Sequence, residues 1–246
     1  MAPTRTLVTI PISHYCEKAR WALDRAGLAF EERAHVQGVH RVAARRAGGG
    51  VTVPVLVCEE GVIGESAAIL AYADRHAPPE RRLAPGDPAL ERELDEGLGP
   101  EGRLWMYHAM HGQGALAARY ITPTVPAWER RFFRLGFPLV SRFIDRHLGV
   151  TDESAVRAGA AVEATFDAIA ERLADGRPYL GGEPFSTTDL TFAALAAAVL
   201  VPPQYGVPLP QPPELPPAMG AQVTAWRAHP AGAFALRMFA EERRAA

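Results

Sequence analysis

The chain has 246 residues, 48% of them hydrophobic and 22% charged, with a formal net charge of −2. That apolar share can fill a core, which excludes a largely disordered chain, and the near-neutral balance gives no broad electrostatic attraction to nucleic acid or an anionic membrane. All 26 basic residues except Lys18 are arginine and asparagine is absent, a skew that reads as the codon bias of a GC-rich genome. Two cysteines, Cys16 and Cys58, cannot build a stapled framework or a four-cysteine zinc site. No signal-type apolar run follows Met1, and the longest low-polarity stretch, Leu190 to Val201, is too short to span a bilayer. A soluble, cytoplasmic protein is expected, with no membrane or nucleic-acid partner.

Up to about residue 80, strand and helix patterns alternate. Leu7 to Ile10 reads as a strand, and Tyr15 to Ala26 as a helix with Ala19, Ala22 and Leu23 on one face and Gly27 at its stop. Ala29 to Arg33 fits a second strand. His40 to Ala47 fits a basic helix running into Gly48-Gly49-Gly50, glycines that imply a mobile loop. Val53 to Cys58 and Gly61 to Ile63 read as strands joined by a tight turn, and Ser66 to His76 as a helix. This order predicts one small mixed sheet with helices on its faces. The prolines of residues 77–88 place a linker at 81–88, dividing a domain of residues 1–80 from one of residues 89–246. The second domain reads as helices over Ala89 to Ala118, Pro126 to Leu148, Glu153 to Ala174, Thr187 to Leu200 and Gly220 to Glu242, the last broken at Pro230. Between the last two helices, Pro202 to Pro217 is too rich in proline for anything but an extended excursion.

Several motifs carry chemistry. Ser13 stands immediately before the first predicted helix, where its hydroxyl serves either as an N-cap or as a donor to an anion at the helix start. Cys16, one turn inside, is the rival nucleophile; the spacing of Ser13-His14-Tyr15-Cys16 is that of a C-x-x-C pair with Ser in the first place. Gly64-Glu65-Ser66-Ala67-Ala68 comes close to a hydrolase nucleophile elbow, but that elbow needs a long parallel sheet, and helices follow instead. Ser186 and Asp189 fit a capping box with a purely structural role. His108 and His111 lack the nearby acidic ligand of a zinc motif, so no metal is expected. Arg130-Arg131-Phe132-Phe133-Arg134 mixes charge with aromatics in a way that suits an anion or lipid, though a solvated helix face is the better reading.

Four of these features, in order, resemble the cytosolic glutathione transferase family: Ile12 to Arg20 as the serine or cysteine turn opening the first helix, Val53-Pro54, Glu65-Ser66, and Ser186-Thr187-Thr188-Asp189. The resemblance implies a thioredoxin-like α+β domain followed by an all-α bundle, and an enzyme that transfers a glutathione-type thiol to a small hydrophobic electrophile, as in detoxification. Ser13 then stabilises the thiolate of a group that titrates near ~8.5 when free. Cys16 is the alternative catalytic residue, for a glutathione-dependent reductase or peroxidase, and a non-catalytic binding protein on the same fold is a third reading. Val53, before a cis Pro54, pairs with the tripeptide backbone. Glu65 meets its ammonium group, and Ser66, as a helix cap, receives its γ-glutamyl carboxylate. His40 supplies the cation for the glycyl carboxylate, with Arg41 and Arg46 behind it. The glycine-rich approach to Val53 departs from the family's pattern, which leaves room for another low-molecular-weight thiol. Tyr15, Trp105, Tyr107, His108 and His111 are the candidate pocket for the electrophile, and a homodimer is expected by resemblance.

Overall fold

The computed structural model describes residues 5–243; residues 1–4 of the first predicted domain and 244–246 of the second lie outside them. Four short strands occur: β1 (Thr6–Thr9), β2 (Glu31–Ala34), β3 (Val55–Cys58) and β4 (Gly61–Gly64). The helices before the linker are α1 (His14–Arg25), α2 (Val39–Arg46) and α3 (Ser66–His76). After it come α4 (Pro88–Glu93), α5 (Gly99–Ala109), α6 (Gly114–Ile121) and α7 (Ala127–Leu148). The last four are α8 (Asp152–Arg172), α9 (Thr187–Leu200), α10 (Pro217–Ala228) and α11 (Pro230–Glu241).

The chain divides into two compact units, one comprising the residues up to Arg82 with Gly112–Arg142, the other Leu83–His111 and the residues from Phe143 onward. The first cut falls in the predicted linker. Gly112–Arg142, assigned by sequence to the helical domain, group instead with the strands. The reason is a shared apolar cluster, in which Ala34 at the end of β2 and Val36 just beyond it pack with Ala118, Ile121, Val125 and Phe133, and Ile12 and Val39 lie against it.

In the first unit the sheet order is β2-β1-β3-β4, with β1 and β2 parallel and the other pairs antiparallel. α1 and α3 pack on one another, and α2 packs on β1. Chain chemistry sets the helix ends. Ser13 caps α1, Gly27 at φ 69° ends it, and Gly48 at φ 88° ends α2, a left-handed geometry that suits glycine at a helix stop.

The second unit is built around α9, whose side chains are almost all buried; a helix apolar on every face has to be enclosed. α4, α5, α10 and α11 contact it. The single helix predicted over Ala89 to Ala118 is interrupted twice. A widened π turn at Leu94–Leu98 precedes Pro100, which has no N–H for the carbonyl four residues back, and Gly112 at φ 75° separates α5 from α6. Pro230 does divide α10 from α11. Among the described residues no helix is long and apolar enough to cross a membrane.

Candidate functional site

Strand register gathers the motif residues at one edge of the sheet. Thr9 faces Ala34 in the parallel β1–β2 pair, so the chain leaves both strands at the same edge, towards Ser13 in one case and Gln37 to His40 in the other. β3 runs the opposite way, with Val55 opposite Val8, so Val53-Pro54 enters at that edge. β4 pairs Gly64 with Val55 and therefore delivers Glu65-Ser66 there too.

Ser13 is the N-cap of α1, in extended backbone, and its Oγ accepts the Cys16 N–H at 3.4 Å. The side chain stays partly open to solvent. Cys16 is wholly buried; burial pushes its thiol up, while the Arg20 charge and the Ser13 hydroxyl pull the other way. A buried thiol held in its neutral form is a poor nucleophile. Arg20, quoted in the sequence motif without a role, braces the turn. Its Nη2 donates to the Pro11 carbonyl at 2.6 Å, Nη1 to Glu17 at 2.6 Å and Nε to Glu32 at 2.9 Å. Glu32 in turn accepts from Thr9 Oγ1 at 2.5 Å. Carboxylates on two sides offset the cost of burying this guanidinium charge.

On the β2–α2 side, the His40 Nδ1 accepts the Gly38 N–H at 3.1 Å, and burial holds the imidazole down to about 4. His40 is therefore neutral at pH 7 rather than the cation expected from sequence. Gln37 is buried, and its Oε1 has no hydrogen-bond partner among the described residues. Sequence reasoning passed over it, although it precedes the φ 90° Gly38 that opens α2. The fully buried Glu129 of α7 fixes this segment. Its carboxylate accepts the Val36 N–H at 2.9 Å and lies 2.7 Å from His35 Nδ1. The glycine loop has structural reasons of its own. The Gly48 and Gly49 N–H groups close the end of α2, and a Cβ on Gly49 would sit 2.7 Å from the Val55 side chain.

The Val53–Pro54 peptide is cis. The β3 ladder begins only at Val55, and among the described residues the Val53 backbone makes no backbone hydrogen bond. At the next corner Glu65, rather than Ser66, occupies the N-cap of α3, and Ser66 is the first helical residue. Glu65 holds φ 64° and ψ 133°, left-handed territory for a residue with a Cβ, which costs of order 1–3 kcal/mol. Its side chain is exposed and makes neither a cap bond nor any ion pair among the described residues. Ser66 is buried beneath it.

The expected pocket residues fall in both units. Tyr15, in the first, is half-buried with its ring 4.5 Å from that of His14. The other four lie in the second. Trp105, half-buried, stands edge-on to Trp226 at 4.6 Å. His108 pairs with Asp152 at 2.8 Å, and His111 lies 3.7 Å from Asp145. Tyr107 is half-buried. Among the described residues no cluster of His, Cys, Asp and Glu is arranged to hold a metal ion. Ser186 and Asp189 form the expected capping box at the start of α9.

Residues 7–81 match the family described as glutathione S-transferase, N-terminal domain. No curated protein sequence matches the chain. Glutathione transferase GSTFuA3 from Phanerochaete chrysosporium is similar over 98% of each chain, with TM-score 0.61 and 16% identity. A glutathione S-transferase of Ceriporiopsis subvermispora, solved with glutathione, is similar over 97% of each chain, with TM-score 0.59 and 18% identity. Another from Methylobacterium radiotolerans, solved with glutathione sulfonate, covers 94% of each at TM-score 0.55 and 20% identity. The chain therefore has the glutathione transferase fold, a mixed four-stranded α+β domain followed by a helical domain.

Proposed function

We propose that this chain is a glutathione transferase-type enzyme that binds glutathione at the shared edge of its sheet and transfers the thiol to a small hydrophobic electrophile. The observation that carries the reading is Glu65. A non-glycine residue at φ 64° with an exposed, unpaired carboxylate is unfavourable for the fold alone, and such strain concentrates where a ligand is held. In this reading Glu65 meets the ammonium group of the γ-glutamyl residue. The Ser66 hydroxyl and the first N–H groups of α3 receive the adjacent carboxylate. The open Val53 backbone pairs with the cysteinyl residue as an added strand does. The His40 Nε2–H and the Gln37 amide serve the glycyl end by hydrogen bonding.

Ser13 then faces the sulfur. Its hydroxyl donates to the thiolate, and the N-terminus of α1 adds roughly 0.3–1 kcal/mol of dipole stabilisation. The sulfur lone pair forms the new S–C bond, and a leaving group departs with its electron pair or, in addition, the neighbouring carbon takes a proton. Cys16 supports the alternative of thiol exchange less well, because burial keeps it protonated and away from solvent. Calorimetric titration with glutathione tests the reading. Native protein is expected to bind, and Glu65→Gln to bind at least about tenfold more weakly, the loss of a charge-assisted bond. Absence of binding to native protein, or tighter binding of a different thiol, overturns the choice of glutathione.

A further inference from the structure

α7 presents two faces of opposite character. Inward, Glu129 and Phe133 are buried and hold the β2–α2 segment. Outward, Trp128, Phe132, Leu135, Leu139 and Phe143 recur at intervals of four, three, four and four, which at 3.6 residues per turn aligns them in one stripe. They are exposed by 60%, 47%, 87%, 72% and 58% respectively. So long an apolar row is rare on a surface that meets only water.

The charges beside the stripe identify what covers it. Arg131, Arg134, Arg142 and Arg146 lie along or beside it, all exposed, and none makes an ion pair among the described residues. The helix has no exposed carboxylate to answer them: Glu129 is buried and Asp145 faces His111. Just beyond its end, Asp152 is engaged by His108 and Glu153 by Arg157. A second copy meeting α7 along the stripe would bring the same arginines and no compensating anion from α7 itself. An anionic bilayer surface answers both halves, with phosphates for the guanidinium groups and the acyl boundary for the Trp, Phe and Leu side chains. The geometry points to α7 as a peripheral membrane-docking helix that lies on anionic phospholipid. This contact goes beyond the enzyme reading and does not depend on it.

The test is flotation of the full-length chain with vesicles of phosphatidylcholine alone and of phosphatidylcholine with roughly one-third phosphatidylglycerol. Flotation is expected with the anionic vesicles only, weakening as salt rises. Leu135→Glu with Leu139→Glu, both at exposed positions, is expected to lower it about tenfold or more with an unchanged circular dichroism spectrum. Arg131→Ser with Arg142→Ser, the milder pair, is expected to abolish the preference for anionic lipid. Failure to float with anionic vesicles at low salt, or flotation indifferent to both double variants, overturns the proposal. Sedimentation velocity without lipid supplies the remaining arm: if the native chain self-associates and the leucine variant disperses it to monomers, a second copy covers the stripe and the proposal is wrong.

Discussion

The two serine-capped helix starts, α1 and α9, begin alike and differ in how far their hydroxyls are committed to the fold. Ser13 and Ser186 both sit in extended backbone, and each hydroxyl accepts the amide of the third helical residue at 3.4 Å. That third residue is the difference. Asp189 draws in the Ser186 hydroxyl at 2.5 Å, its amide at 2.8 Å and the Leu180 amide at 2.7 Å, so every polar group there is consumed inside a buried box. Cys16 offers Ser13 only a weak sulfur acceptor, and Ser13 keeps part of its surface open. One cap spends its proton on the fold; the other can turn it towards a ligand.

That contrast breaks first at Asp189. Asp189→Ala strands three buried donors and is expected to cost about 3–5 kcal/mol, much of a domain's stability, measured by urea unfolding. Ser13→Ala should reverse the pattern. It is expected to lower conjugation about 10²-fold, near 2.7 kcal/mol in the transition state, while unfolding free energy falls by about 1 kcal/mol or less. A loss of stability in Ser13→Ala as large as in Asp189→Ala, with no loss of activity, would erase the distinction. Glu65→Gly carries the comparison to α3. Relief of the left-handed strain is expected to stabilise the fold by about 1 kcal/mol while weakening glutathione binding, opposite signs that thermal melting and calorimetry separate.

A last effect concerns pH. His40 is held down to about 4 in the folded state, against 6.5 as its ordinary value, so the unfolded chain takes up the proton first as acid is added. Its contribution to stability is full above pH 6.5 and is lost as pH falls towards about 4. His40→Gln should flatten the slope of urea midpoint against pH in that window; an unchanged slope would mean that the imidazole titrates normally.

What the sequence revealed was local. α3 spans the residues its pattern put there, α9 begins at its capping box, and Pro54 and Pro230 act where a ring without N–H must. What it hid was long-range. Glu129 meets His35 across 94 residues, and no periodicity in either segment announces a buried carboxylate that ties Gly112–Arg142 to the strands. Arg20 was in view, but its partners arrive from β2 and from the turn before Ser13. His40 was read as a cation because burial, which decides its charge, is a property of the fold. Ser66 begins α3 as expected, but the position before it falls to Glu65 in its positive-φ turn, so Ser66 is the first helical residue and not the cap.

The thiol of bound glutathione can be titrated directly through the ultraviolet absorbance of its thiolate, in native protein and in Ser13→Ala. The account predicts that native protein lowers it by at least about one pH unit, some 1.4 kcal/mol, from the free value near ~8.5, and that the variant returns it most of the way. A native-bound thiol that titrates with the free one, or a lowered value that survives the loss of the Ser13 hydroxyl, would contradict it.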